Sequence, residues 1–156
     1  MLPLQNVKEA IMLQITSVSN AATTTGYVDT LGFDECRISL EVATSNATTK
    51  MTTLAIMESE DTYYSNATNI TALVGGGTGG FTIPVSDTTY ETLKVFDVDT
   101  KSKARYLFLA VSGTTTQLIA ARALLGRAEQ PPTTAATMGA AMADPASSVC
   151  DVYAIG

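Results

Sequence analysis

Histidine and tryptophan are absent from this 156-residue sequence, and charged residues make up only 15% of it. Without His, no Ser-His-Asp or Cys-His nucleophile can be assembled, and a zinc site of the usual Cys/His type is out of reach. The two cysteines, Cys36 and Cys150, form no CxxC pair. Cys36 falls in register with apolar neighbours and reads as a small buried hydrophobe. A Cys36–Cys150 disulfide stays open, with no support from spacing. Basic residues are also scarce: nine Lys and Arg stand against fifteen Asp and Glu, giving a formal net charge of −6. Binding along a nucleic-acid backbone needs clustered cations that release counterions, so no nucleic-acid partner is expected. The closest basic group, Lys101, Lys103 and Arg105, reads as a solvated strand end. No apolar run approaches the roughly 20 residues that span a bilayer. The first residues, MLPLQNVKEAIML, lack a basic leader followed by an unbroken apolar segment. The expectation is a soluble protein made in a cytoplasm, with no membrane partner.

What the chain does have is threonine, alanine and a 46% hydrophobic content. Thr is β-branched, with a methyl to pack and a hydroxyl to solvate, and suits half-buried strands. The clearest strand is DECRISLEVA (34–43), where Cys36, Ile38, Leu40 and Val42 alternate with Glu35, Arg37, Ser39 and Glu41. Upstream, GYVDTLGF (26–33) turns around Leu31-Gly32 and reads as a hairpin into the same sheet. KMTTLAIME (50–58) is the next strand, with Leu54 and Ile56 on one face. FTIPV (81–85) reads as an edge strand because Pro84 removes a ladder donor. YETLKVFDV (90–98) and ARYLFLAVS (104–112) follow; the second is apolar on both faces and reads as a central, doubly covered strand. TQLIAARALLG (116–126) is ambiguous by propensity, and the SGTTT turn favours pairing it with 104–112 as a hairpin. Over VKEAIMLQITSV the second half reads as strand. Short strands spaced by turns predict an all-β fold, a β-sandwich or jelly-roll-like single domain. Residues 1–127 form the core domain, their first 20 or so being an arm or first strand. Residues 128–156, rich in Ala, Thr and Pro, form an extended arm.

Five glycines occupy six positions from Gly75 to Gly80. A Walker loop needs GxxxxGK[ST], and Phe81 stands where the Lys should be; the dinucleotide pattern needs a helix next, and FTIPV is not one. The run is read as a turn between strands. Of the carboxylates, Glu58 with Glu60 and Asp61, and Asp97 with Asp99, could in principle serve acid–base work or a calcium site. Acids ending strands on a wet face account for them more simply. The acceptor patterns at Asn46, Asn66 and Asn69 are what a Thr-rich chain produces by chance. No catalytic, cofactor or metal residue is assigned, and no enzyme is expected. Tyr63-Tyr64, in a polar stretch, is a candidate contact patch. Pro131-Pro132 stiffens the exit of the arm, whose alternating end VCDVYAIG offers Val149, Val152, Tyr153 and Ile155 as anchors for a partner.

The segment VFDVDTKSKARYLFLAVSGTTTQLIAARALLGRAEQPP (95–132) resembles a family of small tailed-bacteriophage virion proteins: a strand, a basic turn, an RYL strand, a TT hairpin, then LGRAE and Pro. GYVDTLGFDECRISLEVA and FTIP fit the same pattern in the same order, so the resemblance covers most of residues 20–132. It implies a capsid cement, decoration or head-associated role on the virion surface, with manufacture in a bacterial cytoplasm. It also implies partnership with the phage major capsid protein and with copies of itself, a homotrimer by analogy with shell three-fold positions. It supplies no catalytic residue. A host-glycan-binding module and a head-completion protein are the alternatives.

Overall fold

A computed structural model describes residues 7–19, 22–43, 49–83, 85–86 and 91–128. Among these residues nine strands run in chain order: β1 (Lys8–Val18), β2 (Thr24–Asp29), β3 (Phe33–Val42), β4 (Thr49–Ser59), β5 (Thr68–Val74), β6 (Val85–Ser86), β7 (Thr92–Asp99), β8 (Tyr106–Gly113) and β9 (Gln117–Ala128). Among the described residues the one helical element is a single 3-10 turn, Tyr64–Asn66. No helix among them is long and apolar enough to cross a membrane.

The strands form two antiparallel sheets, ordered β1-β9-β3-β7 and β2-β8-β4-β5, with β6 added beside β4. Leaving out β6, first pairs with last, second with seventh, third with sixth and fourth with fifth. That is a long hairpin rolled into a sandwich, a jelly roll. The expected all-β sandwich is therefore what the chain forms.

The alternation in β3 sets one half of the core. Cys36, Ile38, Leu40 and Val42 are at most 1% exposed, while Glu35, Arg37 and Glu41 point to solvent. From the facing sheet, Leu54 and Ile56 of β4 and Leu107, Leu109 and Val111 of β8 close the interior. Each such side chain contributes about 1.5–3 kcal/mol by leaving water. β9 lies between β1 and β3 and supplies Ala121 and Ala123, whose small side chains sit opposite the bulky Leu40 and Ile38.

Three expectations about pairing need correction. β8 and β9 are joined by the 114–116 turn but do not pair; β8 lies between β2 and β4, and β9 between β1 and β3. β2 likewise belongs to the other sheet from β3, so the Thr30–Gly32 turn, with Gly32 at φ 82°, carries the chain across the sandwich. The stretch 81–85 is not a continuous strand: Phe81 makes a lone bridge to Gly75, and only Val85–Ser86 pairs with β4. Pro84 lies outside the described residues. At the N-terminus the strand is longer than expected, beginning at Lys8. Register irregularities between Ile11 and Thr16 break the period, and Met12 and Leu13 are both buried in succession.

The glycine run is a compact turn after β5. The Gly75 amide donates to the Leu54 carbonyl, the Gly76 amide to that of Phe81, and the Phe81 amide to that of Val74. Gly76 and Gly79 take positive φ, and a Cβ on Gly80 would sit 1.8 Å from the Val74 carbonyl oxygen. Backbone carbonyls thus hold the Gly75, Gly76 and Gly80 amides, which a phosphate loop would have to present. Phe81 then packs on Phe96, ring centroids 5.5 Å apart, closing the seam between β7 and the facing sheet.

Candidate interaction surfaces

Three turns gather at one end of the sandwich, and ionic groups fasten them. Arg105 grips Asp29 with two hydrogen bonds of 3.0 and 2.6 Å. Burial pushes the Asp29 carboxyl up, but the Arg105 and Leu31 hydrogen bonds outweigh it and leave the pKa below the ordinary 3.8. Lys101 reaches Asp34 at 3.3 Å, and Lys103 reaches Glu58 at 4.0 Å. Glu58 also accepts the Ala104 amide at 2.7 Å. The basic triplet is thus paired with acids rather than offered as a phosphate-binding patch.

The candidate acids have similar structural uses. Asp61 accepts from Asn66 Nδ2 at 2.7 Å, the Tyr63 amide at 2.9 Å and the Ser59 hydroxyl at 3.2 Å. The Asn66 hydrogen bond, with that from Tyr63, holds its carboxyl below the ordinary aspartate range. Both oxygens of Asp97 are engaged by Arg37, at 2.7 and 3.1 Å, and Asp99 accepts the Lys101 amide at 3.0 Å. Among the described residues no group of three or more Cys, Asp and Glu could hold a metal ion.

The outer face of the β2-β8-β4-β5 sheet carries an aromatic cluster at that same end. Tyr27 stands opposite Phe108 on the neighbouring strand, their ring centroids 5.4 Å apart, and lies edge-on to Tyr106 at 5.9 Å. The 60–67 loop, pinned by Asp61, brings Tyr64 over Phe108 at 6.1 Å. Phe108 is consequently 2% exposed although it points away from the core. Arg105 stacks on Tyr106 at 5.0 Å. Tyr27 and Tyr64 remain 46% and 38% exposed, and Tyr63 projects at 69%.

The outer face of the other sheet is aliphatic, and no described residue covers it. Leu93 and Val95 of β7, Leu118 and Leu124 of β9, and Ile15 of β1 are all exposed, by 42–79%. Ion pairs thread between them: Arg37 with Asp97, Arg122 with Glu41 and Glu9, and Arg127 with Glu35. A cleft of about 490 Å³ at one end of this face is lined by Arg37, Asp97, Asp99, Leu124 and Arg127 among others. β7 turns Lys94, Phe96 and Val98 inward, so Leu93 and Val95, which alternate with them, face out. Lys94 is 7% exposed, and its amine has no hydrogen-bond partner among the described residues. Burial lowers its pKa.

Of the residues singled out from sequence, Tyr63 and Tyr64 are adjacent to the aromatic cluster, Tyr64 as part of its cover. Pro131, Pro132, Val149, Val152, Tyr153 and Ile155 lie outside the described residues, as does Cys150. Cys36 is a free, buried thiol whose pKa burial pushes up to about 12. Sequence reasoning missed Tyr27, Phe108 and the five exposed aliphatics. For the aliphatics a signal existed: LKV in β7 puts Leu and Val out of phase with Phe96 and Val98, so one pair must face solvent.

No protein-family model matches the chain, and no curated protein does. Among solved structures, the crystal structure of SPBc2 prophage-derived protein YomS is similar at 15% identity and a TM-score of 0.44, over 78% of this chain and 94% of that one.

Proposed function

We propose that this protein is a non-enzymatic structural component of a tailed-phage virion, a cement or decoration protein that covers the capsid shell and associates with copies of itself. The observation that carries the reading is the exposed aliphatic face of β1-β9-β3-β7. Five large exposed aliphatics on one sheet face mark a surface made to meet another protein. The segment that resembles virion proteins, 95–132, supplies Val95, Leu118 and Leu124 of that face, being the last five residues of β7 with β8 and β9. The jelly roll itself hosts many functions and adds no weight. The major capsid protein is the proposed partner, and a trimer the proposed assembly, by analogy with shell three-fold positions. Negative-stain imaging of the protein mixed with capsids of the phage that encodes it tests this. Density at repeating lattice positions supports it; density at one vertex would make it a head-completion protein, and no density would reject the capsid role.

A second reading rests on the aromatic cluster. Tyr27, Tyr63 and Tyr64 are exposed, and Arg105, paired with Asp29, stacks on Tyr106 of the same cluster; aromatic surface with nearby polar groups is how a sugar is held. A virion module that grips host-surface glycan would bind in a glycan array through these residues, and a Tyr27→Ala, Tyr63→Ala double variant would lose that binding.

A further inference from the structure

Residues 60–67 link β4 to β5, and none of them is buried. Among the described residues, the hydrogen bonds they make stay within 59–67. Asp61 takes those of Ser59, Tyr63 and Asn66, and the Asn66 and Ala67 amides close the turn on the Tyr63 and Tyr64 carbonyls. The Glu58–Thr68 strand pair shuts the base. What ties this self-contained loop to the outer face of the sheet is the Tyr64 ring over Phe108. One aromatic contact of this kind holds a loop closed by a factor on the order of ten.

Under Tyr64 lies a slot whose walls belong to the sheet. Phe108 faces outward from β8, with Tyr27 of β2 opposite it on one side and Met57 of β4 on the other. Tyr106, two residues along, lies edge-on to Tyr27. Phe108 and Met57 offer no N–H or O–H, so the floor suits a ring, and a phenol fills it now. Tyr64 stays 38% exposed while it sits there. A free small molecule is held by burying about 70–90% of its surface, so this slot is too shallow to keep one. A ring fixed to a partner's backbone needs no such enclosure, and aromatic anchors of that kind carry much of the energy of protein interfaces.

We propose that Tyr64 is a displaceable lid: the 60–67 loop swings away as a unit, and the slot on Phe108 then takes an aromatic side chain of a partner protein. Closed, the lid keeps Phe108 out of water until that ring arrives. The inference depends on neither the virion role nor the glycan reading.

The chain contains no tryptophan, so the fluorescence of a capped glycyl-tryptophyl-glycine peptide reports on the probe alone. Apparent affinity falls with the fraction of molecules whose lid is open. Tyr64→Ala should therefore bind the peptide about tenfold more tightly than the natural chain, and Tyr64→Phe should bind as the natural chain does. Adding Tyr27→Ala to Tyr64→Ala takes away one wall and should abolish the gain. Equal binding by the natural chain and Tyr64→Ala, no binding by either, or a gain that survives Tyr27→Ala would overturn the proposal. So would a melting temperature lowered by more than about 10 °C in Tyr64→Ala, the mark of a ring built into the fold. With peptide bound to the natural chain, amide exchange at Asn66 and Ala67 should stay slow, because their hydrogen bonds travel with the loop. Faster exchange there would mean that the loop unfolds instead of swinging, against the proposal.

Discussion

The two outer faces of this sandwich solve the same problem in opposite ways. Each sheet must present its second side to the surroundings. The β2-β8-β4-β5 sheet puts Phe108 there and covers it with Tyr64 from a loop and Tyr27 from the next strand. Among the described residues, the β1-β9-β3-β7 sheet leaves Leu93, Val95, Leu118, Leu124 and Ile15 uncovered and laces ion pairs among them. The first face is partly covered by the chain's own tyrosines; among the described residues nothing covers the second. Apolar exposure by itself is ordinary, but five residues gathered on one face are not a random scatter. Where a protein closes its own surface and where it leaves one open is thus a guide to where partners belong.

The largest expected effect separates the faces by energy. Phe108→Ala should cost about 3–5 kcal/mol, as for any buried aromatic, although its side chain points out of the sandwich. Leu124→Ala, equally outward on the other sheet, should cost less than about 1 kcal/mol. Thermal or denaturant unfolding measures both, and similar losses would mean that the aliphatic face is covered too. Acid gives a second, intermediate test. Asp61 titrates below the ordinary 3.8 because of its hydrogen bonds from Asn66 and Tyr63, so its contribution is present above that value and disappears as pH falls through the lower, folded one. Asp29 and Asp97 behave in the same sense. Below pH 3.8 the 60–67 loop should therefore loosen, read as faster amide exchange at Tyr63 and altered tyrosine fluorescence. Asp61→Ala should show the same exchange at neutral pH. Unchanged protection in that variant would show that the loop is held by packing alone. The smallest effect is Glu41→Ser, which removes one exposed partner of Arg122 and should change stability by less than about 0.5 kcal/mol.

Alternation within a segment was legible in the sequence, and partnership between segments was not. β3 shows its buried and wet faces residue by residue, and β8 shows by its apolar run that both sides are covered. The turn at 112–116 states that the chain reverses there; nothing local states that it also changes sheets. In a jelly roll the pairs β1–β9 and β2–β8 join opposite ends of the chain, and turn chemistry cannot encode them. The aromatic cluster fails to show for the same reason: Tyr27, Tyr64 and Phe108 come from three distant segments. Tyr63-Tyr64 drew attention as adjacent aromatics in a polar stretch, yet only the fold reveals that Tyr64 is a lid for Phe108. Lys94 was hidden for a different reason. A single Lys in an alternating strand reads as the wet face, and here the edge strand turns it inward.

The central claim is that the β1-β9-β3-β7 outer face is where this protein assembles. Sedimentation velocity of the natural chain beside a Leu93→Lys, Leu118→Lys, Leu124→Lys variant tests it most directly, with circular dichroism to confirm that the variant stays folded. The expected result is a trimer for the natural chain and a folded monomer for the variant, while Tyr27→Ala, Tyr63→Ala still sediments as the trimer. A variant that assembles as the natural chain does, or a tyrosine variant that falls apart in its place, would contradict the account.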